Sequence, residues 1–399
     1  MECTGPLTYH PQRYREMRPF FQSLYRIFRN GCTPEGMPLA SGMIAVNQKM
    51  IEFWNQELDR LPFDDRPESM KRLNEEISIF SHVASCFYTG RNIFHLQPAL
   101  TSMLRDTNVE EIEWRAIHLP YPRFYVWFGK QADWPLDIAH YVDGAYVEST
   151  AGRGIQITLT SIADVYPEWQ NQNFVLDFDP YYYASFRFEP NSAVTVGQSL
   201  MEMLETDESF HPDQEQGVSE DQVGQFLMQG IKVVSKSYEE SARYEALLEH
   251  QANLPVFLQA LRLVINGLCF LSAEPDDIVT TFPKEALDTL GGRSEQSDVP
   301  REMGHKEVRT LHRLGYSEVH FCGNKFVQAA QHHTATGSEM PPHRRRAFWR
   351  NQPYGPGQTL RKPAYVRATV VRKDRLPEGE DAPGHTYLVA PPSTSQSSE

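Results

Sequence analysis

The spacing of hydrophobic residues changes along this 399-residue chain, and that change constrains the fold more than any other feature. In residues 12–28 the apolar and aromatic side chains recur every three or four positions, the spacing of one face of an amphipathic helix. Similar spacing covers residues 43–61 and 69–88, and Gly90 is a suitable residue to end the third helix. Residues 1–115 are therefore predicted to form a mainly helical N-terminal region.

The pattern becomes typical of β-strands after residue 117. Residues 119–128 are rich in aromatic side chains, and apolar residues alternate with other residues in 154–160. Turn-forming residues separate these runs from further strand candidates at residues 140–150, 174–178 and 181–188. Short strands joined by turns predict a mainly antiparallel central sheet.

The second half of the chain returns to helical spacing. A helix is predicted to begin near Val196, and residues 254–273 form the most apolar long stretch. That stretch contains Arg262 and Asn266, and an Arg at the centre of a bilayer costs about 2.5 to 3.5 kcal/mol. It is therefore predicted to be a buried helix, in a protein with no membrane partner.

Helices on both sides of a strand-rich middle predict the α+β class, with a C-terminal basic β segment after the helical second half. We divide the chain into residues 1–115, an α+β core of residues 116–375, and residues 376–399, which hold a terminal strand and a disordered tail. Within the core, residues 205–221 are predicted to be an acidic loop, and residues 341–375 are a basic segment.

The charge is unevenly distributed. The whole chain has a net charge of −14, which argues against a protein that binds nucleic acid over its whole surface. The basic segment carries ten Lys and Arg residues and one Asp, so its own net charge is +9 and the rest of the chain is at −23. A surface for RNA or another polyanion is therefore expected in the basic segment alone.

The five cysteines are widely spaced and never occur as CxxC, which argues against a disulfide framework and a thiolate zinc site. The first twenty residues lack the apolar core of a signal peptide. His305, His312, His320 and Cys322 match no common zinc spacing. We therefore expect a cytoplasmic protein without a bound metal or cofactor.

The basic segment combines groups that bind single-stranded RNA. Arginine side chains bind phosphate through two hydrogen bonds, aromatic rings stack on bases, and glycines let a ligand approach the backbone. The alternative is a basic turn between strands that pairs with the acidic remainder of the protein. The candidate partner- or RNA-binding residues of the segment are His343, Arg344, Arg345, Arg346, Trp349, Arg350, Tyr354, Gly355, Gly357 and Arg361.

A second candidate site follows the apolar helix. Glu274 and Asp276 carry carboxylates that can bind a basic peptide or a divalent cation. The alternative is structural, because Pro275 ends a helix and Asp276 can cap the next element.

No nucleotide-binding, hydrolase or kinase motif appears in the sequence, so we expect a binding protein rather than an enzyme. The main alternative is a ribonuclease in which His343 acts as the general base and nearby arginines stabilise the phosphate. That alternative lacks a second nearby histidine, and two-step cleavage of RNA normally needs two titrating groups. A structural protein of a mobile genetic element, without a nucleic-acid partner, is a third alternative.

The basic segment also resembles a known protein family, the second type V-A anti-CRISPR family. The residues that resemble the C-terminal signature of this family are His343, Arg345, Arg346, Trp349, Gly355 and Gly357. Further matches are the strand at residues 119–128, the sequence VGQS at residues 196–199, and LCFLSAEPD at residues 268–276. The resemblance covers residues 117–371 and departs from the family at Ala347 and Phe348, where a Gly-His pair is usual.

This resemblance implies a cytoplasmic regulator of a bacterial cell, encoded by a phage, a plasmid or a bacterium. It implies that the protein blocks biogenesis of the type V-A CRISPR effector nuclease by recognising the start of that protein as it is made, with loss of its message. The implied partner is a nascent polypeptide, together with RNA or the ribosome. The charge distribution agrees physically, since an acidic body can accept a basic peptide while the basic segment faces RNA.

Overall fold

The computed structural model describes residues 8–18, 20–33, 39–58, 66–136, 140–150, 154–163, 185–188, 193–206, 236–289, 304–314, 316–323, 343–345, 347–366 and 369–371. Most of the predicted acidic loop, the strand expected at residues 174–178, Arg346 and residues 376–399 lie outside the described residues. The expectations about them stay predictions.

Four helices lie in the N-terminal region: α1 (His10–Met17), α2 (Phe21–Asn30), α3 (Ala40–Leu58) and α4 (Arg66–Tyr88). Their apolar faces pack into one core, as the helical spacing predicted. The α4 helix ends just before Gly90, which has a φ of +110°, and the N–H of Arg91 donates to the carbonyl of Cys86 at 2.9 Å. This bond belongs to a Schellman motif, in which the glycine takes the left-handed conformation.

A seven-stranded sheet forms the centre of the molecule. Its strands are β1 (Ile93–Leu96), β2 (Arg123–Trp127), β3 (His140–Thr150), β4 (Gly154–Ala163), β5 (Ser185–Phe188), β6 (Ile278–Thr281) and β7 (Val319–Cys322). Their order across the sheet is β5-β4-β3-β2-β1-β7-β6. The first strand in the sequence therefore lies inside the sheet, between the next strand of the chain, β2, and a much later one, β7.

The α+β class is confirmed, but the sheet is mixed. Neighbouring strands from β2 to β5, and the pair β6 and β7, are antiparallel, as predicted. The β1 strand runs parallel to both β2 and β7. We did not predict β1, because four residues within a helical region carry too little of the strand pattern. This short strand makes the N-terminal region part of the central sheet.

Helices cover both faces of the sheet. The helices α1 to α4 lie on one face, and the other face packs against α5 (Pro98–Arg105), α6 (Val196–Thr206) and α7 (Lys236–Ala273). The α7 helix contains the buried helix predicted at residues 254–273, and Leu261, Val264 and Leu268 are completely buried in it. The sheet is thus the middle of three layers, and both of its faces are buried.

The α7 helix also contains the one segment of the described residues that is long and apolar enough to cross a membrane. This segment is Ala252–Ala273, with a mean hydropathy of 1.8. Within the protein, 67% of its most apolar stretch is buried, which is typical of a core helix.

Smaller elements lie beside the sheet and beyond it. The short helices α8 (Lys284–Thr289) and α9 (His305–Arg313) pack around a small apolar cluster that includes Phe282 and Leu311. Two antiparallel pairs of strands lie outside the central sheet: β8 (His343–Arg345) with β11 (Thr369–Val371), and β9 (Phe348–Tyr354) with β10 (Leu360–Val366). The predicted C-terminal basic β segment is therefore present.

The α1 helix is attached to the sheet by buried polar contacts. The Arg13 guanidinium lies 2.7 Å from the Asp143 carboxylate and donates to the Ser161 carbonyl at 3.0 Å. His10 Nδ1 lies 2.8 Å from the Tyr146 hydroxyl. Burial, helped by the charge of Arg13, lowers the pKa of His10 well below its usual range, so this histidine is neutral at pH 7. Because buried charges are costly unless paired, these contacts define the position of α1 on the sheet.

Candidate partner-binding surface

The basic segment forms a hairpin of β9 and β10, residues 348–366, which we call the basic hairpin. Its turn contains Gly355 at a φ of +77°, Gly357 at +62° and Gln358 at +55°. Glycine reaches such left-handed angles without strain. A Cβ atom at Gly355 would also lie 3.1 Å from Cδ1 of Leu360. The two glycines therefore shape this turn, a role that the sequence analysis did not assign to them.

The pairing of β9 with β10 divides the basic hairpin into two faces. Trp349 pairs with Tyr365 and Arg350 pairs with Ala364, so alternate residues lie on opposite faces. The inner face consists of Trp349, Asn351, Pro353, Arg361, Pro363 and Tyr365. The outer face consists of Phe348, Arg350, Gln352, Tyr354, Leu360, Lys362, Ala364 and Val366.

Trp349 anchors the inner face in the core of the protein. Only 1% of its surface is exposed, and its indole N–H donates to Asn266 Oδ1 on α7 at 2.7 Å. The Asn266 amide nitrogen donates in turn to the carbonyls of Leu104 at 3.1 Å and Thr107 at 3.0 Å. The expectation that Trp349 stacks on a base is corrected here, because its ring is packed in the core and is not accessible to a ligand.

The base of the hairpin is fixed to residues 106–118, which follow α5 and which we call the connector. The Asn108 N–H donates to the carbonyl of Ala347 at 3.0 Å, and the Asn108 carbonyl accepts from the N–H of Trp349 at 3.1 Å. The side chain of Asn351 donates to another connector carbonyl at 3.1 Å. The hairpin is therefore held by backbone bonds as well as by the buried tryptophan.

The connector also holds the start of α6, where the sequence VGQS lies. The N–H of Val196 donates to the carbonyl of Ile112 at 2.8 Å, and the Trp114 indole donates to the Ser199 hydroxyl at 2.9 Å. A Cβ atom at Gly197 would lie 3.0 Å from a connector side chain. Glycine at this position allows the helix and the connector to approach closely.

The end of α7 meets the end of the connector. The hydroxyl of Ser272 accepts from the N–H of His118 at 2.9 Å and lies 2.9 Å from the His118 carbonyl oxygen. Three of the segments that carried the family resemblance therefore converge on the connector: the start of α6, the end of α7 and the strand with Trp349.

The connector was not predicted from the sequence to be part of the site. A usable signal was present in Asn266, a polar residue in the most apolar helix of the chain. A buried amide requires hydrogen-bond partners, so its presence indicates a polar contact within the core. The sequence did not indicate which distant residues supply that contact.

The outer face of the basic hairpin combines positive charge with apolar surface. Arg350 and Lys362 are exposed, Tyr354 is 37% exposed and Leu360 is 49% exposed. The Lys362 ammonium lies 5.7 Å from the centre of the Tyr354 ring, within the range of a cation–π contact. The hairpin contains no Asp or Glu. It therefore presents two cations that no carboxylate of the hairpin itself neutralises.

The other predicted residues of the basic segment are distributed differently. The side chain of Arg361 is half-buried on the inner face and donates to the carbonyl of Gln358 at 2.8 Å. His343, Arg344 and Arg345 lie on β8, paired with β11, and Arg346 lies outside the described residues. Of the predicted residues, Arg350 and Tyr354 share the outer face with Lys362 and Leu360, which were not predicted.

Glu274 and Asp276 are exposed; Asp276 lies in the short 3-10 turn Pro275–Asp277 that follows α7, and Glu274 directly precedes this turn. The helix ends at Ala273, as expected from Pro275. The structure therefore places these two carboxylates in a different element from the basic hairpin. Among the residues that the structure describes, no group of three or more His, Cys, Asp or Glu side chains is arranged to hold a metal ion.

Comparison with known proteins assigns a family to the part of the chain that contains these segments. Residues 94–373 match the model of the AcrVA2-like family, described as the anti-CRISPR type V subtype A2 family. A solved structure, the crystal structure of AcrVA2, matches with 12% sequence identity and a TM-score of 0.38, covering 93% of this chain and 100% of that chain. No curated protein matches the sequence.

The family match defines the class of this protein as an anti-CRISPR protein of type V. More specifically, the chain belongs to the AcrVA2-like family. The overall similarity to the solved structure is low, so this assignment rests on the family model, which covers most of β1 and all of the connector, α6, α7 and the basic hairpin.

Proposed function

We propose that this anti-CRISPR protein is a binding regulator that recognises the nascent N-terminal polypeptide of a type V-A CRISPR effector nuclease. Binding of the growing chain, within its complex with ribosome and RNA, silences production of the nuclease. The proposal extends the family assignment to a mechanism. It requires a surface that binds a partner while the protein keeps its folded core.

The observation that carries the proposal is the contrast between the two faces of the basic hairpin. The inner face is fixed through Trp349, Asn351 and their hydrogen bonds to α7 and the connector. The outer face exposes Arg350, Lys362 and Tyr354 to solvent. A rigid support beneath an exposed cationic and aromatic face reduces the entropy lost on binding, which favours recognition of a partner.

The basic outer face and the acidic remainder of the chain are expected to bind partners of opposite charge. Arginine and lysine on the hairpin attract the phosphates of RNA or acidic side chains, whereas the acidic surface attracts basic segments of a peptide. A translating ribosome presents both kinds of partner close together. This division supports recognition of a nascent chain in its ribonucleoprotein complex.

A reporter assay tests whether the peptide or the message is recognised. The opening codons of a type V-A nuclease are fused to a reporter gene and expressed with and without this protein. A first control recodes the codons synonymously, which changes the message and keeps the peptide. A second control shifts the reading frame over the same stretch, which keeps the message and changes the peptide. We expect reporter protein and message to fall for the original and the synonymous sequences only.

Loss of the effect on synonymous recoding would contradict peptide recognition and favour recognition of the message itself.

The surface is tested with the double variant Arg350→Ala and Lys362→Ala, which is expected to abolish silencing. The matched control is Arg26→Ala with Arg29→Ala, which removes two exposed charges from α2 on the opposite layer. Equal silencing by both double variants would exclude the basic hairpin as the binding surface.

The outer face also favours a second function, binding of single-stranded RNA, because the exposed Tyr354 lies near the Lys362 cation on the face that also carries Arg350. Removal of Arg350 and Lys362 should then weaken the salt dependence of RNA binding. The slope of log affinity against log salt concentration should become shallower by about 0.7 for each lost phosphate contact. Tyr354→Ala should lower affinity by about 1–3 kcal/mol with little change in slope. If the parent protein does not bind RNA at low salt, RNA binding is excluded and peptide recognition is the remaining function of this surface. RNA cleavage that is lost in His343→Ala would instead favour a ribonuclease.

A further inference from the structure

A cleft of about 230 Å³ opens in the part of the central sheet that lies opposite to the β5 edge. It is located where the parallel strands β1 and β7 begin. It lies between the end of α4 and the start of β7, and its lining includes Arg91, Thr280, His312, Glu318 and His320. This combination places a guanidinium, two imidazoles and a hydroxyl group around one small volume. None of these residues belongs to the basic hairpin or the connector.

Arg91 supplies an uncompensated positive charge to the cleft. Its backbone has a φ of +59°, a left-handed conformation that is rare for a side chain of this size. Its guanidinium carbon lies 5.0 Å from the centre of the Phe87 ring, at a half-buried position. Among the described residues, no carboxylate lies within ion-pair distance of this guanidinium.

A second arginine lies nearby, and its guanidinium is already paired with the Glu16 carboxylate. The Arg15 guanidinium carbon lies 5.5 Å from the centre of the same Phe87 ring. Burial lowers the pKa of Arg91, and the charge of Arg15 lowers it further. The lowered pKa agrees with a guanidinium that is partly desolvated and, among the described residues, is not paired with a carboxylate. An anion in the cleft would supply that compensation.

The two histidines can supply neutral hydrogen-bond donors. His320 Nδ1 lies 2.7 Å from the Thr280 hydroxyl, and its ring stacks on Phe94 at 4.6 Å. Where the hydroxyl donates to Nδ1, the proton of the neutral ring is on Nε2, which can then donate to a ligand. Burial lowers the pKa of His320 and of His312, so both rings are mainly neutral at pH 7.

We propose that this cleft binds an oxyanion group, either a phosphate monoester or a carboxylate, of a small ligand. Arg91 is the charge partner of the oxyanion, and His320 and His312 donate hydrogen bonds to it. Phe87 holds the guanidinium in place through its ring. Glu318 is the one carboxylate of the cleft lining, and its negative charge weakens binding and limits the charge that the site accepts.

The proposal is tested by titrating the full-length protein with inorganic phosphate and, separately, with acetate, followed by NMR of the histidine ring protons. We expect saturable shifts of the His320 and His312 signals with one equivalent bound. Arg91→Gln should weaken binding at least about tenfold, the loss expected for one charge-assisted hydrogen bond. Glu318→Gln should instead tighten binding, because it removes the opposing charge from the same cleft. Arg26→Gln, at an exposed position on α2, should have no effect.

The two anions distinguish the sources of the ligand. Binding of phosphate but not acetate assigns a phosphate ester, and comparable binding of both assigns a carboxylate. Shifts that are not saturable, or equal affinity in the parent and Arg91→Gln, would overturn the proposal. If Arg91→Gln does not fold, as judged by its thermal transition, the opposite effect of Glu318→Gln remains decisive, since unchanged or weaker binding there also contradicts an oxyanion site.

Discussion

The indole of Trp349 donates a hydrogen bond of 2.7 Å to the side-chain oxygen of Asn266, which lies 83 residues earlier on the core helix α7. Both groups are 1% exposed. The Asn266 amide also donates to one carbonyl of α5 and one carbonyl of the connector, so its oxygen and its nitrogen are both used. This pair joins the basic hairpin to the core, alongside the backbone bonds that the hairpin makes with the connector.

Disruption of this pair should destabilise the whole protein. Trp349→Phe leaves the Asn266 oxygen buried without its donor, which is expected to cost about 1–3 kcal/mol, and the lost ring volume adds to that cost. Urea unfolding of the variant should therefore show a lower midpoint. In a double-mutant cycle with Asn266→Ala, the two effects should not be additive, because the residues are in direct contact.

The control for this prediction is Gln259→Ala, an exposed position on the same helix, which should change the free energy of unfolding by less than about 0.5 kcal/mol. A Trp349→Phe protein as stable as this control would mean that the hydrogen bond between Trp349 and Asn266 contributes nothing to stability.

The ion pair between Arg13 and Asp143 should be essential for docking of α1. Both side chains are almost completely buried, at 2% and 0% exposure. Asp143→Asn removes the carboxylate charge that faces the buried Arg13 guanidinium and is expected to cost about 3–5 kcal/mol in the free energy of unfolding. Chemical denaturation with a probe on α1 and a probe in the sheet measures this loss.

The exposed pair of Lys49 and Glu52 on α3 provides the comparison. Its atoms lie 2.8 Å apart, but the side chains are 53% and 59% exposed. Glu52→Gln should therefore cost no more than about 1 kcal/mol. Replacement of Arg13 and Asp143 together by Met and Leu should recover much of the lost stability, since neither partner is then left charged. Equal losses for Asp143→Asn and Glu52→Gln would contradict the buried position of α1.

His95 should make stability depend on pH. Its ring accepts or donates a hydrogen bond of 2.9 Å at Nδ1 with the Tyr9 hydroxyl, and burial lowers its pKa from 6.5 to about 4. Between these two values the unfolded chain binds a proton that the folded protein does not bind. The free energy of unfolding should therefore fall as the pH decreases from 6.5 to 4, by up to about 3 kcal/mol from this residue.

His95→Gln should remove this contribution, so the stability of the variant should decrease less between pH 6.5 and pH 4 than that of the parent. His305→Gln, at an exposed position at the start of α9, is the control and should leave the pH dependence unchanged. Thermal unfolding at a series of pH values measures both. A parent and a His95→Gln protein with the same pH dependence would show that His95 titrates normally.

The cysteines should differ in their reactivity. Cys86, Cys269 and Cys322 are buried, whereas Cys32 is half-buried. Burial raises the pKa of Cys86 to about 12, so almost none of it is the reactive thiolate at pH 8. In a Cys3→Ser background, Ellman's reagent should label Cys32 first in the native protein and all four thiols after denaturation. Cys32→Ser should then remove the rapid native reaction, and rapid labelling that persists would contradict the buried positions of the other three.

The sequence predicted the elements whose signals are local. Helical spacing identified the N-terminal helices, and apolar composition identified the buried part of α7. The strand β1 was missed, because its four residues receive their strand conformation from β2 and β7 on either side. Pairing with distant strands is a tertiary effect that a local pattern does not contain.

The candidate surface was predicted in part. Charge counting located the basic segment, and Arg350 and Tyr354 lie exposed on the outer face of its hairpin. The predicted role of Trp349 in base stacking was wrong, because the ring is buried in the core. The local sequence around an aromatic residue among arginines is the same whether the ring stacks on a ligand or packs in a core. The connector was not identified, because its residues act through backbone groups, which every sequence has.

The sequence alone determined the α+β class, the buried helix, the separation of charge along the chain and the family resemblance that the family model later confirmed. These properties depend on composition and on spacing over short distances. Only the tertiary structure decided which face of the basic hairpin meets solvent, which residues hold it, and that Arg91 meets two histidines in one cleft. Those relationships join residues far apart in the chain, and they arise when burial of the shared core brings them together.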